Sequence, residues 1–267
     1  MEGMRQIPDN SIDLMLTDPP YNITASEWDK KIDLTTLWSE WKRIVKHDGV
    51  FLITSSQPFT SILVMSNISM FKYEWIWNKG RPTSPLSAKY MPMKKHENIC
   101  VFYKKNGCYN PILTTKRKDD IRDNNRIYRR TNNGCYGDSM QEMRLNENRT
   151  IPINMKYPDS ILDINRVGTF GFEKTGHPNQ KPIALFRYLI QTYSNEGDLI
   201  YDGYMGSGTT AIAAMEENRN WIGFEIDEDY YKAASKRIKM YKKRPKPFFT
   251  DGQLADKTIK QKGFIDK

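Results

Sequence analysis

The feature that most constrains the fold is a glycine-rich turn between a strand pattern and a helix pattern near the end of the chain. Leu199, Ile200 and Tyr201 form a short apolar run before the turn, and an alanine-rich stretch with helical spacing begins at Thr209. A second apolar run, 221–226, follows that helix. Strand, helix and strand in this order form a β-α-β unit with parallel strands. The chain is therefore predicted to be an α/β protein.

The same alternation occupies the first third of the chain and resumes before the glycine-rich turn. Apolar runs of strand length alternate with stretches in which apolar residues recur at helical spacing. With 267 residues, the chain is long enough to bury a full core. We therefore predict a Rossmann-like, mostly parallel sheet with helices on both faces. The predicted strands are 12–17, 49–54, 71–77, 99–103, 199–201 and 221–226, and the predicted helices are 34–45, 59–65, 182–193, one from 209 and one through 230–238.

The basic charge is concentrated in two segments that interrupt or follow this pattern. The net charge is +9, of which residues 104–150 and 242–267 contribute +5 each, so the remainder is nearly neutral. Clustered positive charge is typical of a polyanion partner, although a solvated charged surface is the alternative. We divide the chain into halves of one domain at 1–103 and 167–241, an insert at 104–166, and a basic, mobile tail at 242–267.

The glycine-rich turn itself predicts a ribose-bearing cofactor. Residues 206–211 read Gly-Ser-Gly-Thr-Thr-Ala, which fits the G-x-G-x-x-G/A pattern directly after a strand and at the start of a helix. Glu225, at the end of the next strand, is placed to accept hydrogen bonds from ribose hydroxyls. A turn that only packs strand against helix is the alternative reading. The pattern does not distinguish a dinucleotide from another adenosine cofactor.

The sequence Asp18-Pro19-Pro20-Tyr21 follows the first predicted strand, at the sheet edge where such folds bind ligands. Two prolines remove backbone donors and stiffen the loop, so the Asp18 carboxylate and the Pro19 carbonyl offer acceptors alone. Two acceptors suit an exocyclic amino group, whose developing positive charge they would stabilise during attack. Tyr21 is expected to stack on a flipped base. A rigid turn without chemistry is the alternative.

These motifs together resemble those of S-adenosylmethionine-dependent DNA amino-methyltransferases, which methylate N6 of adenine or N4 of cytosine. Asp18 to Tyr21 is similar to the catalytic motif of that family, His177 to Pro182 to the segment before the cofactor strand, and Asp202 to Thr209 to the cofactor loop. The order, with a catalytic motif, a basic region and then a cofactor loop, resembles the β subgroup. The resemblance covers residues 1 to about 241 and implies a class I methyltransferase fold.

The resemblance also implies the roles of individual residues. Glu225 would hold the ribose of S-adenosylmethionine, Asp202 would begin the cofactor loop, and Lys181 would help to wall the pocket. Gly206, Ser207, Gly208 and Thr209 would pass the methionine part of the cofactor. The insert would recognise DNA, and its densest basic stretch consists of Lys116, Arg117, Lys118, Arg122, Arg126, Arg129 and Arg130. One departure from the family is Gly203-Tyr204, where a Pro-Phe pair is usual.

Three alternatives stay open at this point. A NAD-dependent dehydrogenase explains the glycine turn but leaves Asp18 to Tyr21 without a role. A DNA-binding relative without catalysis would keep the basic segments. An N4-cytosine enzyme would keep the chemistry, although Asp at the first motif position favours adenine in the resembled family. We expect transfer to adenine N6, and whether a cognate restriction nuclease accompanies the protein stays open.

Other sequence features exclude classes of site and suggest a location. Cys100, Cys108 and Cys135 form no C-x-x-C pair and the three histidines are scattered, so no disulfide framework or metal site is predicted. No apolar run has the length of a membrane helix, and the first residues lack the apolar stretch of a signal peptide. We expect a cytoplasmic protein that binds no membrane.

The start of the chain carries a separate expectation from the resemblance. Related proteins have a short strand and an acidic residue before the equivalent of Met1-Glu2-Gly3-Met4, beside the adenine of the cofactor. Without that strand, the strand at 221–226 would form an exposed sheet edge, open to pairing with a second chain. We therefore expect weaker cofactor binding and lower stability than in a relative that has this strand, with self-association as a homodimer through the exposed edge, unless the natural protein begins further upstream.

Overall fold

The computed structural model describes residues 2–21, 32–83, 85–105, 107–116, 151–152, 154–168 and 173–242. The chain divides into two compact units, Met1–Asn110 with Ser160–Lys267, and Pro111–Asp159. Of the predicted tail, residues 243–267 lie outside the described residues. Within the described part of the chain, no helix has the length and apolar composition that crossing a membrane would require.

The elements agree closely with the predicted alternation. The helices are α1 (Glu2–Arg5), α2 (Leu34–Ile44), α3 (Phe59–Ser66), α4 (Ile183–Tyr193), α5 (Thr209–Glu216) and α6 (Glu228–Lys242), and a 3-10 helix covers Pro85–Ser87. The strands are β1 (Ile12–Thr17), β2 (Val45–Ser55), β3 (Phe71–Thr83), β4 (Lys94–Phe102), β5 (Thr114–Thr115), β6 (Met155–Lys156), β7 (Ile161–Asp163), β8 (Leu199–Asp202) and β9 (Asn220–Gly223).

Seven of these strands form one sheet in the larger unit, in the order β7-β3-β4-β2-β1-β8-β9. The pairs β1 with β2, β1 with β8, β8 with β9 and β3 with β7 are parallel. Strand β4 runs antiparallel to both β2 and β3. The sheet is therefore mostly parallel, as predicted. Among the described strands, β9 is an edge strand, next to β8.

Helices cover both faces of this sheet because strand residues alternate between two cores. On one face, Trp38 and Trp41 of α2 belong to the same buried cluster as Phe51 of β2. On the other face, Leu189 of α4 belongs to a second cluster with Leu52 of β2. Neighbouring residues of one strand thus serve opposite layers, and the prediction of a sheet covered on both sides is confirmed.

Several strand boundaries differ from the predictions, since β3 ends at Thr83 and β4 begins at Lys94. Strand β2 begins at Val45, before the predicted start at Gly49. Strand β9 ends at Gly223, so Glu225 lies beyond the strand and not at its end. Strand β7 lies within the predicted insert yet joins the main sheet beside β3, and only Leu162 of its three residues is buried. A three-residue strand with one buried side chain is too short to give a periodic signal.

Candidate active site

The polar residues of the candidate site meet at one edge of the sheet. Asp18 follows β1 directly, Asp202 is the last residue of β8, and Glu225 lies two residues beyond β9. Because β1, β8 and β9 are parallel neighbours, their carboxyl ends share this edge. Thr54 lies near the carboxyl end of β2, the neighbour of β1 on the other side. The arrangement matches the edge where open α/β sheets bind ligands.

The carboxylate of Asp18 is the centre of the hydrogen-bond network at this edge. Its Oδ1 accepts a hydrogen bond of 2.7 Å from the hydroxyl of Tyr21 and another from the hydroxyl of Thr54. Its Oδ2 lies 2.6 Å from Nζ of Lys181. The side chain is 21% exposed. In the part of the chain that the structure describes, Oδ1 thus has two donors and Oδ2 has one.

Tyr21 is held tightly against the protein. Its ring stacks on that of Phe59, with centroids 5.5 Å apart and an interplanar angle of 21°. Nζ of Lys181 lies 5.7 Å from the Tyr21 ring centroid. Burial, followed by the charges of Asp18 and Glu97, raises the pKa of Tyr21 well above its usual value. The phenol is therefore a donor to Asp18 at neutral pH, and Phe59 occupies surface on which a base would stack.

Lys181 joins Asp18 to a second carboxylate. Besides Asp18, its Nζ lies 3.4 Å from Oε2 of Glu97 on β4, and Oε1 of Glu97 lies 3.2 Å from Nζ of Lys79. Burial acts to lower the pKa of Lys181, but the charges of Asp18 and Glu97 outweigh it and raise the pKa. The side chain therefore faces Asp18, while its backbone oxygen accepts a hydrogen bond of 3.2 Å from Thr209 in the glycine-rich turn.

Asp202 connects β1, the glycine-rich turn and α5 through hydrogen bonds. It is 2% exposed and accepts hydrogen bonds from Thr17 on β1 at 2.8 Å, from the backbone N–H of Tyr204 at 3.0 Å and from the hydroxyl of Thr210. Burial raises the pKa of Asp202 to about 6, although these hydrogen bonds oppose the shift. These contacts fix the start of the glycine-rich turn to β1 and α5.

The backbone conformation and the surroundings of both glycines in the turn favour glycine. Both adopt left-handed backbone conformations, with φ of +50° at Gly206 and +76° at Gly208. A Cβ at Gly206 would lie 3.3 Å from Nε2 of His177, whereas one at Gly208 would lie 3.2 Å from Cδ1 of Ile238 on α6. Gly208 therefore allows the turn to pack against α6.

Arg237, which no sequence motif indicates, fixes the far side of the turn. Arg237 of α6 donates from Nη1 to the backbone oxygen of Ser207 at 2.8 Å and to the hydroxyl of Thr209 at 3.2 Å. The hydroxyls of Ser207 and Thr209 are themselves 3.0 Å apart. Both side chains are buried. Arg237 is one basic residue among several in a charged helix, so its sequence position gave no signal.

Glu225 and its neighbour form the outer end of the candidate cofactor site. Oε2 of Glu225 accepts a hydrogen bond of 2.7 Å from the backbone N–H of Gly206, and Oε1 accepts one of 2.9 Å from that of Asp227. Each oxygen keeps acceptor capacity for a further donor. Ile226, predicted as part of a strand, is 99% exposed. A carboxylate and an exposed apolar side chain therefore adjoin at this point.

The predicted DNA-binding residues fall almost wholly beyond what the structure describes. Arg117, Lys118, Arg122, Arg126, Arg129 and Arg130 lie outside the described residues. Lys116 belongs to the smaller unit, where its backbone N–H donates to the oxygen of Asn154 at 2.8 Å beside the paired strands β5 and β6.

Comparison with known proteins identifies the family to which this site belongs. The profile of the N6/N4 methyltransferase family, described as DNA methylase, matches residues 12–236. The chain belongs to this family. The methyltransferase is 26% identical over 250 residues to the Type II methyltransferase M.HpaI of Haemophilus parainfluenzae, covering 89% of this chain and 71% of that protein. It is 28% identical over 252 residues to the DNA adenine methyltransferase YhdJ of Escherichia coli strain K12, covering 88% and 79%.

Solved structures share the fold of the methyltransferase. The M1.HpyAVI–SAM complex superposes with a TM-score of 0.54 at 23% identity, covering 85% of this chain and 89% of that one. The cytosine-N4-specific PvuII DNA methyltransferase gives a TM-score of 0.58 at 17% identity, covering 89% and 86%. The fold is that of class I methyltransferases, as predicted. The protein is an S-adenosylmethionine-dependent DNA amino-methyltransferase. The alternative of a NAD-dependent dehydrogenase is therefore wrong.

Proposed function

We propose that the protein methylates the exocyclic N6 of an adenine flipped out of DNA. The observation that carries the proposal is the partly exposed Asp18 carboxylate at the carboxyl end of β1, with one donor on Oδ2 among the described residues. Asp at this position favours adenine over cytosine, and the relative YhdJ is named as a DNA adenine methyltransferase. An N4-cytosine product is the alternative outcome of the tests below.

The chemistry follows from acceptors that surround an amino group. Asp18 accepts one N–H of the amine on Oδ2, and the carbonyl of Pro19 accepts the other, since Pro19 and Pro20 offer no competing backbone donors. Both contacts strengthen as positive charge develops on the nitrogen. As the nitrogen forms its bond to the methyl carbon, the bond from that carbon to the sulfonium sulfur breaks and its electron pair stays on sulfur. The nitrogen then releases one proton, for which the Asp18 carboxylate would serve as the base. Thr54 and Tyr21 keep that carboxylate oriented through Oδ1.

The cofactor is assigned to the groups at the ends of β8 and β9. When bound, S-adenosylmethionine supplies an activated methyl group on a sulfonium sulfur. Glu225 accepts hydrogen bonds from the ribose hydroxyls, and the exposed Ile226 covers the adenine ring of the cofactor. Gly206, Ser207, Gly208 and Thr209 form the turn beside its methionine part. Asp202 and Lys181 hold this turn in place from below, Asp202 through Thr210 and Lys181 through Thr209.

Tyr21 is assigned to the target base. Its hydroxyl is fixed by Asp18 and its ring is stacked on Phe59, so any contact with the base uses ring surface that Phe59 leaves open. The flipped adenine would then lie against the open face of this ring, with its amino group at the Asp18 carboxylate. The contact orients the base, and the carboxylate carries the chemistry.

The basic stretch from Lys116 to Arg130 is assigned to the DNA backbone. Each phosphate contact releases counterions, so the logarithm of the affinity falls with the logarithm of the salt concentration by about one unit of slope per contact. Replacing Lys116 by alanine is expected to reduce that slope by about one unit. A slope equal to that of the parent would remove Lys116 from the interface.

The test of the catalytic assignment is the Asp18→Ala variant, assayed with methyl-labelled cofactor and mixed-sequence DNA. Methyl transfer is expected to fall below detection while the affinity for S-adenosylmethionine stays within a few fold of the parent. Asp9→Ala is the matched control, since Asp9 is exposed and paired with Arg43 away from the site. Transfer by Asp18→Ala at the parental rate would overturn the proposed function.

A further inference from the structure

Four charged side chains, two of them buried and two partly exposed, form a row that ends at Asp18. Lys79, Glu97, Lys181 and Asp18 follow one another with Nζ–O distances of 3.2 Å, 3.4 Å and 2.6 Å. Their side chains are 6%, 16%, 7% and 21% exposed, in the same order. Two positive and two negative charges balance, which is the condition under which ionised groups persist in a protein interior.

The contacts of Lys181 in this row are unequal. Its Nζ lies at 2.6 Å from Oδ2 of Asp18, close to the optimum for a charge-assisted hydrogen bond, but 3.4 Å from Oε2 of Glu97. That Oε2 atom is buried and makes no hydrogen bond within the described part of the chain. The other oxygen, Oε1, is held by Lys79. Glu97 is therefore held in place through Oε1, and its Oε2 atom beside Lys181 can accept a hydrogen bond.

The preferred contact of Lys181 occupies the oxygen that the target amine needs. Oδ1 of Asp18 already accepts from Tyr21 and Thr54, so the amine must bind at Oδ2, where Lys181 is the resident donor. Oδ2 has a further lone pair for the amine, but an ammonium at the same oxygen would repel the positively polarised N–H group of the amine and the positive charge that develops on its nitrogen. Removing the ammonium altogether would leave a buried charge without a partner, which is costly.

We infer that Lys181 has two positions, and that Glu97 receives its ammonium from Asp18 Oδ2 when the target amine arrives. The inference rests on the proposed function, because it assumes that Asp18 accepts the amine. A shift of Nζ by less than the 3.4 Å separation lengthens one ion pair and shortens the other, so the row stays neutral. Lys79 keeps Glu97 in place during the exchange. Glu97 is thus a positioning residue that acts through Lys181.

If this exchange occurs, Glu97 should affect the affinity for DNA only when the target base carries the amino group. The test uses two duplexes with the site that the parent methylates, one with adenine at the target and one with 2-aminopurine, which has no amino group at C6. In Glu97→Gln, Lys181 stays on Asp18, so the affinity ratio of adenine to 2-aminopurine duplex falls by about tenfold, the lower end for a hydrogen bond to a charged group. Affinity for S-adenosylmethionine alone is unchanged.

Glu74→Gln is the matched control, since Glu74 lies on β3, accepts a hydrogen bond of 2.8 Å from Asn98 and has no ion pair with Lys181. Its ratio should equal that of the parent. Equal weakening of both duplexes by Glu97→Gln, with the parental ratio, would make Glu97 merely structural and overturn the inference. A parent protein that methylates N4 of cytosine and no adenine, or that methylates no DNA at all, would instead refute the proposed function.

Crystal structures of the parent decide the matter if Glu97→Gln does not fold. With S-adenosylhomocysteine and the adenine duplex bound, Nζ of Lys181 is expected within hydrogen-bond distance of Glu97 Oε2 and beyond it from Asp18 Oδ2. With the 2-aminopurine duplex, Nζ is expected to remain on Asp18. Lys181 on Asp18 in both complexes would overturn the inference.

Discussion

Replacing Thr54 by valine removes one hydroxyl from the catalytic network while keeping the β-branched shape. Thr54 is 1% exposed, donates to Oδ1 of Asp18, and lies 2.8 Å from the hydroxyl of Tyr21. A hydrogen bond to a charged group contributes about 1.5–3 kcal/mol. Because each 1.36 kcal/mol is a factor of ten in rate, kcat/KM is expected to fall about 10- to 150-fold if the carboxylate loses its orientation in the transition state.

The assay measures methyl incorporation into DNA, cofactor affinity by titration calorimetry and the thermal midpoint. Thr60→Val is the matched control, because Thr60 is 4% exposed and its hydroxyl donates to the neutral Ser55 at 3.0 Å. Thr60→Val should lose about 1 kcal/mol of stability for a neutral hydrogen bond, and Thr54→Val about 1.5–3 kcal/mol for one to a charged group. Cofactor affinity should stay parental in both. A Thr54→Val variant as active as Thr60→Val would refute the role given to the Asp18 network.

Three further predictions concern the cofactor end of the site. Glu225→Ala should weaken S-adenosylmethionine binding in calorimetry, whereas Glu228→Ala, whose side chain is 78% exposed and paired with Lys232, should not. Gly208→Ala should lower the thermal midpoint more than Gly197→Ala, since both have positive φ but only Gly208 has neighbours within 4 Å of a new Cβ. Burial lowers the pKa of His177 below 6.5, so the unfolded chain binds its proton first. The parent should therefore lose stability as pH falls below 6.5, and His177→Gln should lose less in denaturant titrations.

Much of the fold could be predicted because its signals are local. Apolar runs and helical spacing gave the order of the elements, and Asp18 and Gly206 stand in motifs that are contiguous in the sequence. The position of β4 between β2 and β3 had no local signal, because antiparallel insertion depends on how distant strands pair. Strand β7 was too short to show a pattern. Sequence periodicity therefore predicted the elements and their order along the chain, but not the positions of β4 and β7 in the sheet.

The residues that support the site were harder to predict for the same reason. Thr54 and Glu97 lie on β2 and β4, and they reach Asp18 and Lys181 only through the strand order. Ile226 was read as a strand residue from its apolar neighbours, yet β9 ends at Gly223 and leaves it exposed. The sequence did offer one indication that Glu97 supports the site. It is a charged residue that lies just before the apolar run at 99–103, next to the buried part of a strand.

Methyl transfer to the exocyclic amine of adenine can be measured on the product itself. The protein is incubated with methyl-labelled S-adenosylmethionine and mixed-sequence DNA, the DNA is digested to nucleosides and the labelled products are separated. The label is expected in N6-methyldeoxyadenosine, and Asp18→Ala is expected to yield none. Label in N4-methyldeoxycytidine would contradict the choice of base, and DNA without label under conditions where the cofactor binds would contradict the claim itself.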